Sequence, residues 1–78
     1  MSRYFFDLHN GDGPTLDEEG QEMTSRASVA MEVARILGDI ARDEMPDTQN
    51  GTIALTVRDE SGRTITIARL TFSNEWVE

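Results

Sequence analysis

Polar and apolar positions alternate with a period of two at both ends of the chain and follow a helical period in the middle. Over residues 3–8, Tyr4, Phe6 and Leu8 fall on one side and Arg3, Phe5 and Asp7 on the other, as a pleated strand requires. Phe5 breaks the polar side, so that face is expected to be covered too, by the chain termini or a second subunit. His9 to Pro14 is a turn, because Asn, Asp and Gly tolerate positive φ and Pro presets a bend. A short second strand near Thr15–Asp17, a turn at Glu18-Glu19-Gly20 and an extended Gln21–Met23 follow.

From a cap at Thr24 or Ser25 to Met45 nothing interrupts a helical pattern. Val29, Ala30, Val33, Ile36, Leu37, Ile40 and Ala41 gather on one face, with Glu32, Arg35, Asp39, Arg42 and Asp43 opposite. Pro46 ends the helix. Thr52 to Arg58 alternates again, with Ile53, Leu55 and Val57 on one side. Asp59-Glu60-Ser61-Gly62 reads as a type I turn closed by a glycine bulge. With Glu60, Ser61 and Gly62 as the loop, Val57 faces Ile65 and Leu55 faces Ile67, and the apolar residues of both strands share a face. Past Ala68 the alternation changes phase to Leu70 and Phe72, which places a bulge or the end of that strand near Arg69. The pattern predicts an α+β fold: an antiparallel sheet of three to four strands in hairpin, helix, hairpin order, with one amphipathic helix across one face. The other face is expected to carry Thr52, Ala54, Thr56, Arg58, Thr64 and Thr66.

Length turns this into one small domain over residues 1–78, since 78 residues make room for a single core. Hydrophobic residues at 37% suit a folded chain, and the longest apolar run falls far short of the ~20 residues of a membrane span. Residues 1–7 lack a signal core, so the expected location is the cytoplasm. The absence of cysteine excludes disulfides and thiolate chemistry within these residues. Fifteen acids against seven arginines give a net charge of -8, which repels nucleic acid and anionic membranes. With no lysine, a Schiff base or a phosphate-cradling lysine cannot be built. Residues 1–22 carry six acids against Arg3 alone, a field that draws a cation or a basic surface, or that serves as a solvated face for solubility.

Few side chains offer chemistry. His9 lies beside Asp7, Asn10 and Asp12, but one histidine with carboxylates is less than zinc takes, and a calcium loop beginning at Asn10 fails at Pro14 and Thr15. A loose cation site built from His9, Asp12, Asp17 and Glu18 is what remains. Gly11-Asp12-Gly13 lacks the third glycine of a dinucleotide fingerprint and runs into a proline. No serine sits in a G-x-S-x-G elbow. The chain is therefore expected to hold no cofactor and to perform no catalysis. Three large apolar residues exceed what one core needs: Phe5 on the outer side of the first strand, Met31 on the polar side of the helix, and Trp76 near the C-terminus. They make an interaction surface for a protein partner or a second copy, unless the tail folds back to set Trp76 over Phe5. Exposed strand edges offer a further route to a homodimer.

The opening Met-x-Arg-Tyr-Phe-Phe-x-Leu, the turn Asn10-Gly11-Asp12-Gly13, Asp17-Glu18-Glu19-Gly20 and Val57-Arg58-Asp59-Glu60-Ser61-Gly62-Arg63 together resemble a family of very short uncharacterised proteins from rhizobia and related bacteria, known as a domain of unknown function. The resemblance implies a bacterial cytoplasmic protein and assigns no catalytic or binding residue. The expected function is a non-catalytic interaction or regulatory module that forms a homodimer. The alternative is a small-molecule or divalent-cation binding domain using the acidic N-terminal turns.

Overall fold

The computed structural model of the chain describes residues 2–11 and 13–78. Its elements are β1 (Ser2–His9), β2 (Pro14–Thr15), β3 (Gln21–Met23), α1 (Arg26–Glu44), β4 (Asn50–Arg58) and β5 (Thr64–Ser73), with a 3-10 turn, Met45–Asp47, after the helix. The α+β expectation holds. Among the described residues the sheet has five strands in the order β2-β1-β4-β5, and β3 pairs with β1 further along the edge that β2 occupies. All of these pairings are antiparallel. Strands β3 and β4 flank β1 and so run parallel to each other, and α1 makes the crossover that a parallel connection needs.

The helix starts where a serine can cap it: Ser25 is extended and its hydroxyl accepts from the Ser28 N–H at 3.1 Å. Val29, Val33, Leu37 and Ala41 are buried along one stripe. They pack with Phe6 of β1, Ile53, Leu55 and Val57 of β4 and Phe72 of β5. Val57 and Leu55 are 0% and 1% exposed, so β4 is the centre of the core.

The second hairpin corrects the expected register. Its turn forms as the sequence implies: Gly62 N–H donates to the Asp59 carbonyl, and the Asp59 carboxylate accepts from the Ser61 and Arg63 N–H groups. Arg58 then faces Thr64, but one residue further the ladder shifts, and Val57 faces Thr66, Leu55 faces Ala68 and Ile53 faces Leu70. The bulge is at Ile65, next to the turn, rather than at Arg69. Ile67 consequently points away from the helix and is 51% exposed, and Thr66, expected on the polar face, lies on the helix side opposite Val57. Packing at the far end makes the choice. Phe72 lies over Gly51, where an added Cβ would sit 2.9 Å from the ring. A regular strand run back from a buried Phe72 turns Leu70, Ala68 and Thr66 inward, and a bulge is then needed to meet the turn.

The molecule is elongated, 51 × 24 × 16 Å, with a radius of gyration of 14.0 Å against ~11.5 Å for a compact chain of this length. One helix on one sheet makes a thin slab with much of its surface open. Among the described residues no helix is long and apolar enough to cross a membrane.

Candidate functional site

Two regions could carry function: the acidic turn over the outer face of β1, and the free edge of the sheet at β5.

At the first, the odd positions of β1 face away from the helix, yet Asp7 is 3% exposed. Arg58, one strand over, reaches it with two hydrogen bonds, Nε to Oδ2 at 2.6 Å and Nη2 to Oδ1 at 3.1 Å. The segment after β2 folds back over the pair. Its Asp17 N–H donates to Asp7 Oδ1 at 2.9 Å, and its Asp17 carbonyl accepts from Arg58 Nη2 at 3.0 Å. The Asp17 carboxylate turns toward β1 and accepts from the N–H groups of Phe6, Glu19 and Gly20. It fills the gap in the sheet edge between β2 and β3, where the outward-facing N–H of Phe6 meets neither strand. Gly20 completes the turn at φ +72, and a Cβ there would lie 2.9 Å from the Tyr4 carbonyl oxygen, so only glycine fits. The Arg58 guanidinium rests 4.9 Å from the centre of the Phe5 ring. Among the described residues, Phe5 is covered by Arg58 and Gly20.

This arrangement holds structure together and has no spare chemistry. The hydrogen bond from Arg58 keeps the Asp7 carboxyl below its ordinary range against the opposing effect of burial, so Asp7 is a poor base. Burial pushes the Asp17 carboxyl up, and the N–H groups of Gly20, Phe6 and Glu19 together outweigh it and leave it lowered. On the helix, Arg35 holds Glu32 down to about 2, with Gln21 of β3 as a further donor. Among the described residues, no buried side-chain nitrogen or oxygen lacks a partner.

These lowered carboxylates set the pH response. A carboxyl whose folded value is depressed stabilises the fold fully above its unfolded value, ~4, and the contribution is lost as pH falls through the folded value. Thermal melts in roughly 0.15 M salt, where longer-range repulsion is screened, are expected to be level from pH 7 to 5 and to drop steadily below ~4. A melting temperature that rises on acidification through that window would refute the engagement of Asp7, Asp17 and Glu32.

The described residues of the expected cation site are not assembled around an opening. His9 ends β1, paired with Ala54 and Pro14, Asp17 is turned onto the backbone, Glu18 is exposed, and Asp12 lies outside the described residues. Among the described residues no three His, Asp or Glu side chains are grouped to hold a metal. Nor do Phe5, Met31 and Trp76 form one patch. Phe5 is half-buried on the outer face of the sheet, and Met31 is 75% exposed on the helix. Trp76 is 83% exposed beside Met45 and Pro46, away from Phe5.

The second region is the edge of β5. This strand pairs with β4 on one side only, so the backbone groups facing the other way have no strand partner. Ile65 and Ile67 are partly exposed along it. Between this strand and the first half of α1 lies a hollow of about 340 Å³ lined by Arg26, Val29, Ala30, Val33, Ile65 and Thr66, among others. From Ser61 to Asn74 the chain has no acidic residue and carries Arg63 and Arg69. The chain's acidity is therefore displaced from this edge. The burial of β5's apolar positions is what alternation alone misassigned, and with it the exposure of Ile67 went unforeseen. The Asp7–Arg58 pair was also missed, although a single acid on an otherwise covered strand face was a signal for it.

No curated protein and no solved structure matches the chain. A family model described as a domain of unknown function (DUF6894) matches residues 3–71, and this span takes in both the Asp7–Arg58–Asp17 cluster and nearly all of the β5 edge: the chain belongs to the DUF6894 family.

Proposed function

We propose that this chain is a non-catalytic protein-interaction module of the bacterial cytoplasm that forms a homodimer by pairing its β5 edge with that of a second copy across a twofold axis. The observation that carries this reading is the edge itself. Past the bulge at Ile65, Thr66 to Ser73 is a regular run with no proline and no inward charge, and Ile67 lies exposed on it. Folded proteins usually shorten, cover or heavily charge such an edge, because it templates further pairing. An antiparallel twofold ribbon satisfies its backbone groups, and a thin slab with a small core gains stability from it. The saturated Asp7–Arg58–Asp17 cluster and the 16 Å thickness of the molecule favour binding over catalysis.

Sedimentation equilibrium between about 1 and 100 μM, the range of a small non-obligate interface, is expected to give twice the monomer mass at the upper end. A strict monomer throughout removes the homodimer.

A further inference from the structure

We infer that the segment after β5, Glu75 to Glu78, is the second half of this interface, and that Trp76 of each copy seats in the partner copy's hollow between β5 and α1. The inference rests on the β5-edge dimer and specifies what completes it.

The tail is in line with the strand. Asn74 N–H donates to the Gln49 carbonyl at 2.8 Å, which continues the β5 ladder one step beyond Ser73. Trp76 and Val77 follow at 83% and 91% exposure, the two most exposed large apolar residues of the described chain, so little is lost by moving them. In an antiparallel pair the end of one strand lies beside the start of the other. The end of β5 carries an exposed tryptophan, and its start carries an apolar hollow.

Charge selects the register. A twofold axis near Arg69 would set two arginines side by side, which is unfavourable. An axis at Thr71 places Arg69 opposite the partner's Ser73 and brings the partner's Trp76 beside Thr66 and the partner's Val77 beside Ile65. Thr66 lines the hollow, and directly opposed residues share a face, so the indole enters on the helix side. Arg26, which also lines the hollow, is placed to lie against the indole face. The partner's Glu75 then falls opposite Ile67 and diagonal to Arg69, within reach of a long side chain. An acidic tail thus meets an edge that has only basic charges. Two such contacts, related by the axis, close the dimer and leave no further edge of this kind open.

The cysteine-free sequence permits a clean test. Ile67→Cys and Glu75→Cys, both at exposed positions and directly opposed across the axis at Thr71, are purified separately, mixed and oxidised mildly. Within one chain the pair cannot meet: Glu75 reaches at most ~7 Å past Ser73, whereas Ile67 lies ~20 Å back along the strand. The inference expects a mixed disulfide dimer from the mixture and little covalent dimer from either variant alone. It also expects the emission of Trp76, the chain's single tryptophan, to shift to the blue as the wild-type protein dimerises, and Trp76→Ala to weaken the dimer by roughly tenfold or more, as for an interface anchor. A dimer in which no mixed disulfide forms and Trp76 stays open to quencher overturns the tail placement and leaves the edge dimer standing. A monomer at every concentration overturns both, and a monomer that binds an added acidic extended peptide along β5 assigns the edge to a different occupant.

Discussion

In Arg58→Met the Asp7 carboxylate is expected to remain buried with a single backbone donor, at a cost of about 3 kcal/mol for breaking a buried pair from one side. A domain of this length has ~4–12 kcal/mol in all, so the loss is a quarter or more of its stability. A fall in melting temperature of roughly 12–24 °C corresponds to it. The reciprocal Asp7→Asn is expected to be milder, because Arg58 is 28% exposed and can turn its charge to water, while the new amide oxygen still accepts from Asp17. The double variant is expected to cost clearly less than the two single changes added together, since neither charge is then stranded. Additive costs in calorimetric melts of the four proteins would mean that the pair does not act as a unit. The consequence reaches the acidic turn as well. Arg58 also donates to the Asp17 carbonyl and covers Phe5, so its removal is expected to loosen residues 17–20, visible as faster amide exchange at Phe6, Glu19 and Gly20.

Leu55→Ala and Ile67→Ala are expected to differ by several-fold in cost, although alternation alone treats them as partners. Leu55 is 1% exposed under the helix, and removing its side chain leaves a cavity worth about 3 kcal/mol. Ile67 is 51% exposed on the opposite face, and its truncation is expected to cost below ~1 kcal/mol. Urea midpoints measured on dilute protein, where dimerisation does not contribute, compare the two directly. Equal losses would restore the unbulged register, with Ile67 inside and Ala68 out.

The register shows where reading from the sequence stopped. The turn at Asp59–Gly62 was legible because its residues enforce it locally, and Arg58 faces Thr64 as that turn requires. One residue further the choice passes to Phe72 and Gly51, at the far end of the hairpin, and nothing local to Ile65 announces a bulge. The helix was legible from Ser25 to Glu44 because its apolar stripe repeats over five turns. The candidate sites fared differently. Met31 and Trp76 are exposed as their places in the pattern implied, whereas Phe5 is held beneath Arg58. Asp17, grouped with the acids of a solvated or cation-drawing segment, instead spends its oxygens on backbone N–H groups. A carboxylate's role depends on which donors the chain brings to it, and those come from residues 6 to 20 by way of a fold-back that no short-range pattern encodes.

Short-range pattern suffices for the elements and their class: one amphipathic helix, an alternating opening strand, a hairpin with its turn, and a strong acid excess. Each follows from periodicity or from the φ preferences of a few turn residues, which act over neighbours. The tertiary structure alone decided which side of β5 faces the helix, that Asp7 is buried against Arg58, and that the β5 edge is left open while β2 and β3 share the other edge. Those outcomes depend on contacts between residues tens of positions apart, where one bulky ring over one glycine can shift a whole strand by one residue and reverse which of its side chains meet water.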